Sequence, residues 1–518
     1  MAGTEDRHMN PTQRPGTRGY LHWIVLVLLG AWPFVSFLDH NQEDAPLYWD
    51  TVALYGLIFV AMLAAAAAVG RLLFRRVEFA RIANPLAVGA VCFFNYLALA
   101  GPLSELGISL GTVKLMIWGA LTLAVMTVAW RLSRHAQTSL VLCVVAAVMV
   151  AVPAVQLVLF ALGTRSDAGA TQAASVAPIE RDAPQPNVYW IVLDAYARAD
   201  VLEAYFGHRN DRLLEALRTR GFFVADRAFS NYRSTMLSLS STATMRYYLP
   251  VGEKLHPSLW TARLQGFNPV VDRFLARGYA YVHAEPGGNN LKTRCGGREA
   301  LCITAKPRGA FSINEAEATL LRLTPLYPVV RRLLPDLLSF DFTTLADVAA
   351  KLEPRRDAPI FVFAHILSPH PPPRYNPDCS RIGRVEWDLT GDDRAHSIET
   401  YLTDVRCLNA DLLRFVDTVL AEDPTDPIII VQSDHGFRGP PMPATPEAAA
   451  VLDPRLLRHA ILHAMRLPAR CAKTLDHAFS SVNTFRIVFT CLGADGLDLL
   501  PDRLFDHGPD GVTPLEVN

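Results

Sequence analysis

In the stretch Ile428-Ile429-Ile430-Val431-Gln432-Ser433-Asp434-His435-Gly436, four aliphatic residues lead without interruption into a polar turn that carries a carboxylate and an imidazole. A continuous apolar run, rather than an alternating one, is the pattern of a strand covered on both faces, as in a parallel sheet. Asp434 and His435 then fall on the turn at the carboxyl end of that strand, and ligands of open α/β sheets collect at that edge. A second run, Val188-Tyr189-Trp190-Ile191-Val192-Leu193, ends in Asp194, and the strand-like Phe222-Phe223-Val224 is followed by Thr235. Asp, Thr, Asp and His together make a mostly oxygen donor set, suited to one divalent cation.

The remainder of this half of the chain fits that architecture. Further strand-like runs fall at Tyr279–His283 and Ile360–Leu367, and amphipathic segments alternate with them. Asp211–Arg220 is one; Ile398–Leu420 is the clearest, with Tyr401, Leu402, Val405, Leu408, Leu412, Phe415 and Val416 at helical spacing. Strand–helix alternation predicts a mainly parallel sheet with helices on both faces, within the roughly 330 residues that follow Asn187.

The composition before residue 164 is different. The 518 residues are 51% hydrophobic, with a mean hydropathy of +0.19, and the excess is concentrated there. Five stretches lack acidic and basic residues: Tyr20–Leu38, Val52–Gly70, Asn84–Leu103, Leu115–Trp130 and Ser139–Gly163. About 20 apolar residues span a bilayer core. The fourth stretch is short, and a helix that begins near Ile108 with Lys114 snorkelling completes it. A cleavable leader is a poor alternative, because one apolar segment follows another with no small-residue cleavage site between. The expected fold is therefore a multi-span α-helical membrane domain followed by an α/β domain.

Charge sets the expected orientation. Arg7, Arg14 and Arg18 precede the first span, Arg71, Arg75, Arg76 and Arg81 follow the second, and Arg131 and Arg134 follow the fourth. The first loop holds Asp39, Glu43 and Asp44 with no Lys or Arg. Basic loops stay cytoplasmic. This predicts a cytoplasmic tail at 1–19, a five-helix membrane domain at 20–163, a tether at 164–187 rich in Ala, Ser, Asp, Gln and Pro, and an exported domain at 188–518. A net charge of −1 and the lack of a basic tract argue against nucleic acid.

Cys92 and Cys143 lie in spans; Cys295, Cys302, Cys379, Cys407, Cys471 and Cys491 lie in the exported part. An even number in an oxidising compartment suggests disulfides. Sequence neighbours suggest Cys295–Cys302, Cys379–Cys407 and Cys471–Cys491, although six cysteines admit many other pairings. A zinc site is the rival, disfavoured because no C-x-x-C pair is present. The segment Ala316–Leu338, with Leu320, Leu321, Leu323, Leu326, Val329 and Val330 beside Arg322, Arg331 and Arg332, has two readings. It is a core helix with a basic edge, or a basic amphipathic helix against a membrane.

Five sets of residues carry a resemblance to a known family: Asn187 through Asp194; Ser230-Asn231-Tyr232-Arg233-Ser234-Thr235; Phe363-Ala364-His365 leading to Pro369-His370-Pro371-Pro372; Gln432 through Gly436; and Val482-Asn483-Thr484-Phe485-Arg486 with Leu499-Leu500-Pro501-Asp502-Arg503. From about Asn187 to Arg503 the chain resembles the alkaline phosphatase/sulfatase superfamily. Within it, the chain is similar to the membrane-anchored sulfatase-like branch of lipoteichoic acid synthases and phosphoethanolamine transferases. The resemblance implies an enzyme of a bacterial cytoplasmic membrane, multi-pass, with its catalytic domain on the periplasmic or extracellular side. It implies that Asp194, Thr235, Asp434 and His435 bind one divalent metal ion (Mn, Mg or Zn) and that Thr235 is the nucleophile. His370, between prolines, would reach the transferred group or protonate the leaving oxygen, with Arg198, Arg233, His283 and His365 as substrate-binding candidates.

The chemistry agrees with the resemblance. A coordinated hydroxyl loses its proton more readily than a free one, and Thr235 opens a helix-like stretch (Met236–Met245) whose amino-terminal dipole favours an anionic phosphoryl group. Each residue also has a plain structural reading. Asp194 is a turn former, His365 a hydrogen-bonded core histidine, the Pro-His-Pro loop simply rigid, and Arg198 and Arg233 surface ion-pair partners; Ser234 and Ser238 compete with Thr235. One departure from true sulfatases stands out: around Thr235 there is no Cys/Ser-x-Pro/Ala-x-Arg pattern, which argues against the aldehyde mechanism. The expected reaction moves a phosphate-linked head group (phosphoglycerol or phosphoethanolamine type) from a membrane lipid to an envelope glycan or lipid acceptor. A hydrolase (phosphatase, phosphodiesterase or sulfuric ester hydrolase) using water at the same site is the alternative, and a non-catalytic membrane factor the third.

Overall fold

The computed structural model describes residues 17–41, 48–108, 110–163, 185–247, 263–287, 293–305, 313–352, 358–382, 385–386, 394–437, 445–469, 471, 475–494, 497–508 and 511–515. The expected tail through residue 16 and the expected tether over 164–184 lie outside the described residues. Two compact units divide the chain: Met1–Leu162 with Ala316–Leu333, and Gly163–Glu315 with Leu334–Asn518.

The first unit contains α1 (Thr17–His40), α2 (Trp49–Leu73), α3 (Ala80–Phe93), α4 (Tyr96–Glu105), α5 (Gly111–Leu132) and α6 (Ala136–Gly163). Among the described residues, α1, α2, α5 and α6 are long and apolar enough to cross a membrane, and α3 with α4, bent by 47°, add a fifth span if taken as one. The protein is a membrane protein. The fourth apolar stretch, short in the sequence, is a full helix of 22 residues. The third is the broken one. Asn95 sits at the break, its Nδ2 donating back to the Val91 carbonyl at 2.7 Å, and the Tyr96 amide leaves the helical ladder to donate to the Leu323 carbonyl at 3.1 Å. Inside the bundle, Asn84 donates to the hydroxyls of Ser133 at 3.0 Å and Ser139 at 2.9 Å, a polar contact of the kind that ties apolar helices together.

The second unit is built on a seven-stranded sheet. Its strands are β1 (Val188–Leu193), β2 (Phe222–Val224), β3 (Ala280–Ala284), β4 (Leu301–Ile303), β6 (Ile360–Ile366), β8 (Ile428–Ser433) and β9 (His463–Arg466), with β5 (Ser339–Phe340) and β7 (Val385–Glu386) forming a separate pair. The order is β2-β9-β8-β1-β6-β3-β4. β8, β1, β6, β3 and β4 run parallel, and β9 joins antiparallel to both β8 and β2. The sheet is thus mainly parallel, as expected; β4 and β9 are too short or too polar to stand out in the sequence.

Side chains on the central strand alternate between two cores, as the two-residue period of a strand requires. Tyr189, Ile191 and Leu193 pack with Val405, Leu412 and Phe415 of the helix Arg394–Glu422. Val188, Trp190 and Val192 pack on the other face with Leu239, Phe274 and Phe485. Each fully buried aliphatic side chain contributes about 1.5–3 kcal/mol, which explains why these strands read as unbroken apolar runs. The three disulfides pair sequence neighbours, Cys295–Cys302, Cys379–Cys407 and Cys471–Cys491, while Cys92 and Cys143 are free.

Candidate active site

Register brings the polar residues to one edge. Leu193 pairs with Ile366 on one side and with Ser433 on the other, so Asp194 and Asp434 emerge level at the carboxyl ends of β1 and β8. His365 lies on β6 beside Val192. The Asp194 amide still donates to the Ile366 carbonyl at 2.9 Å. The chain then turns sharply, for Ala195 takes φ +62°, a left-handed conformation that costs a residue with a Cβ about 1 kcal/mol. The turn is held from both sides: the Ala195 amide donates to Asp434 Oδ1 at 3.0 Å, and the Tyr401 hydroxyl donates to the Ala195 carbonyl at 2.9 Å.

The turn after β8 is fixed equally firmly. The Ser433 hydroxyl accepts from the Tyr196 amide at 2.8 Å and lies 2.7 Å from the carbonyls of both Leu193 and His435. Asp434 Oδ1 also accepts from the His435 amide at 2.8 Å. Gly436 is there because of a close approach. Its amide donates to the Arg458 carbonyl at 2.7 Å, and a Cβ at this position would overlap the Leu457 carbonyl oxygen and press on that of Ala460. His435 Nδ1 lies 2.8 Å from the Gly436 carbonyl. A carbonyl only accepts, so Nδ1 carries the proton and the Nε2 lone pair faces the cluster.

The result is a set of donor atoms that face one another without bonding. His365 Nε2 lies 3.4 Å from Asp194 Oδ2, and His435 Nε2 lies 3.6 Å from both Asp194 Oδ1 and Asp434 Oδ2. These separations exceed an ordinary N–H···O bond of about 2.9 Å. Asp194 Oδ1, Asp434 Oδ2 and His365 Nε2 are buried without a hydrogen-bond partner. One ligand atom each from Asp194, His365 and Asp434 falls within 4.8 Å of the others. Buried orphaned oxygens and an imidazole nitrogen at such spacing fit a divalent cation. Burial pushes the Asp194 carboxyl upward, but His370, His365 and His435 together hold it well below the usual carboxylate range, so it is ionised and ready to ligate. His365 Nδ1 rests 2.9 Å from the Thr293 hydroxyl, which orients the ring.

The other expected residues are placed as follows. His370 follows β6, with Nδ1 2.6 Å from the Pro371 carbonyl and its ring 6.4 Å from that of His435. Thr235 is the first residue of the helix Thr235–Thr244 and half-buried; Ser234 before it is extended, and its side chain makes no capping bond to the first-turn amides. Arg198 is buried in a fork with Asp200, at 2.8 Å from each carboxylate oxygen, and also donates to the Ala228 carbonyl. Arg233 pairs with Asp506 at 2.5 Å. His283 is wholly buried in β3, its ring 5.0 Å from Phe363, and burial pulls its pKa down to about 4. His459 joins them without having been expected. It lies on the segment pressed against Gly436, with Nδ1 3.0 Å from the Ser230 carbonyl and Nε2 buried without a partner. Burial, with Arg233 and His435 acting in the same direction, lowers it to about 4. No periodicity or motif flags His459, because an irregular loop brings it in.

The model of the sulfatase family matches residues 186–452, which span β1 through the turn after β8 and beyond. The chain belongs to the sulfatase family. It is an enzyme of the alkaline phosphatase/sulfatase superfamily, and the stretch that matches carries every member of the buried cluster. No curated protein matches the chain. Several solved structures are similar to it. The integral membrane protein lipooligosaccharide phosphoethanolamine transferase A from Neisseria meningitidis matches at 13% identity and TM-score 0.42, over 92% of this chain and 95% of that one. The C-terminal periplasmic domain of EcEptC from Escherichia coli, in complex with Zn, matches at 12% identity and TM-score 0.41, over 65% and 94%. The lipoteichoic acid synthase LtaP from Listeria monocytogenes matches at 12% identity and TM-score 0.39, over 63% and 78%. At these identities and scores the likenesses carry no information on substrate.

Proposed function

We propose that this sulfatase-family protein is a membrane-anchored transferase that moves a phosphate-linked head group from a lipid donor to an envelope glycan or lipid acceptor. The observation that carries the reading is the convergence of Asp194 Oδ1, Asp434 Oδ2 and His365 Nε2, buried and unbonded, in a chain whose other unit consists of membrane helices. Asp194, Asp434, His435 and His365 would hold one divalent ion (Mn, Mg or Zn), with Thr235 completing the site. When bound, such an ion makes a nearby hydroxyl easier to deprotonate and neutralises phosphoryl charge.

The chain's own residues do the rest. Thr235 gives up its hydroxyl proton to solvent as its Oγ attacks the phosphorus of the head group. The bond from phosphorus to the diacylglycerol oxygen breaks, and that oxygen takes a proton delivered by His370. A phosphothreonine ester remains on Thr235, at the start of the helix Thr235–Thr244, whose uncapped amino end favours the anion. An acceptor hydroxyl then attacks the same phosphorus and passes its proton to His370, the bond from phosphorus to Thr235 Oγ breaks, and that oxygen takes a proton from solvent. Loop charges and three disulfides in the second unit support a site on the periplasmic or extracellular side of a bacterial cytoplasmic membrane.

Peptide mass spectrometry of protein purified from membranes tests the covalent step. The expected result is a phosphoglycerol or phosphoethanolamine mass on the peptide containing Thr235, absent in Thr235→Ala. An adduct-free enzyme that cleaves soluble phosphate esters, with Thr235→Ala equally active, would overturn it.

A further inference from the structure

Two short helices, Glu315–Arg322 and Leu326–Leu333, interrupt the chain between β4 and β5, yet the segment Ala316–Leu333 groups with the membrane helices. Two hydrogen bonds tie it there. The Tyr55 hydroxyl of α2 donates to Glu317 Oε1 at 2.5 Å, and the Tyr96 amide, at the break between α3 and α4, donates to the Leu323 carbonyl at 3.1 Å. By connectivity, the ends of α1 at His40, of α2 at Trp49 and of α3 at Phe93 lie on one side of the bundle. Tyr55 is roughly 9 Å along the axis from Trp49 at the α-helical rise. Both ties therefore lie toward that same side.

The second of these helices has its apolar stripe turned outward. Leu326, Val329 and Leu333 are exposed at 48%, 40% and 70%, and Val330 is half-buried. These positions, spaced i, i+3, i+4 and i+7, cover an arc of about 100°. Arg331 and Arg332 are exposed on the remaining circumference, while Arg322 lies over the Tyr327 ring at 5.8 Å. In a helix packed on a water-soluble core, such a stripe faces inward. A helix with an exposed apolar stripe, basic residues opposite, and attachment to spanning helices matches one that lies in a bilayer surface.

We propose that Leu326–Leu333 is an in-plane membrane anchor. Its Leu326, Val329, Val330 and Leu333 stripe enters the acyl boundary, and Arg331 and Arg332 meet the lipid phosphates. This gives the chain a second attachment to the lipid, far in sequence from α6 and between β4 and β5. The choice left open by the sequence, a core helix or a membrane-surface helix, falls to the second.

The test uses the full-length protein with Cys92→Ala and Cys143→Ala, reconstituted in vesicles of phosphatidylethanolamine with a minority of phosphatidylglycerol. A nitroxide is placed singly by Val329→Cys, Leu333→Cys or Arg332→Cys. Power saturation then compares collisions with oxygen, which enters the bilayer, and with a water-soluble nickel chelate. Labels at 329 and 333 are expected to favour oxygen, and the label at 332 the chelate. If 329 and 333 meet the chelate as often as 332, the helix lies in water and the proposal fails. If they are shielded from both reagents, protein covers the stripe and it fails equally. Agreement between 329 and 333 guards against local distortion at either one.

Discussion

The same three strands, β1, β6 and β8, end in opposite ways. At their amino ends a hydrogen-bonded network closes around Asn187 and Asp423. Asn187 donates to Asp423 at 2.9 Å, accepts from the Ile360 amide at 2.8 Å on its side chain and from the Ile428 amide at 2.9 Å on its carbonyl. The Tyr189 hydroxyl and Thr425 complete the shell of Asp423. At their carboxyl ends Asp194, Asp434 and His365, just as buried, leave an atom each unbonded. An unsatisfied buried polar group costs about 1–3 kcal/mol. A network closed at one end of a strand and open at the other is the pattern expected if the open end takes up the cation proposed above.

The largest effect should come from removing a carboxylate at the open end. Asp194→Ala and Asp434→Ala are each expected to lower the initial rate on bis(p-nitrophenyl) phosphate by at least about 10³-fold, or about 4 kcal/mol of barrier. The stability pattern should be the reverse of an ordinary core deletion. A chelator should lower the Tm of the wild type, because an ion that binds only the folded state stabilises it, and should leave both variants unmoved. Calorimetry with and without chelator reads this directly. A wild type indifferent to chelation, or a variant with full activity, removes the distinction between the two ends.

That distinction also decides what was legible in the sequence. Unbroken apolar runs ending in Asp194 and Asp434 announced both the sheet and the edge at which the two carboxylates meet, because a strand buried on both faces has nowhere else to put a carboxylate. Disulfide partners were legible for a similar local reason: each pair closes a short loop. His365 was harder. It sits inside a fully buried strand, where a histidine is usually bonded to its neighbours, and only the register of β6 against β1 shows that its Nε2 faces Asp194. His459 was not legible at all, since a loop with no period carries it. In the membrane unit, composition showed the spans but not the break at Asn95. Nor did it show that Ala316–Leu333 would group with those helices, because both depend on hydrogen bonds between distant segments.

A change at the closed end should do the opposite of the Asp194 and Asp434 variants. Asn187→Ala strips the Ile360 amide and the Asp423 carboxylate of partners, so a loss of about 2–3 kcal/mol in unfolding free energy is expected. The rate per folded molecule should be unchanged. Denaturant unfolding monitored beside activity in the same preparation separates the two quantities. A fall in rate without a fall in stability would mean that the closed end reaches the chemistry, and that the contrast is only one of geometry.

Asp404 offers the finest test, because it lies near the open end yet is bonded like the closed one. It accepts from the Arg374 amide at 3.0 and 2.9 Å and from the Tyr375 amide at 3.1 Å. Burial nevertheless outweighs Arg374 and those amides and raises its pKa to about 7. The folded state therefore holds a proton that the unfolded chain releases above a pH of about 4, so stability falls as pH climbs from about 4 to about 7. Between pH 6 and 7 this group alone accounts for a loss of about 1 kcal/mol. Asp404→Asn cannot titrate, so its unfolding free energy should fall less than that of the wild type across this window, by that amount. Parallel curves for the two proteins would show that the two amides keep Asp404 ionised throughout, and that hydrogen bonding outweighs burial even at the edge where the fold leaves other carboxylates unbonded.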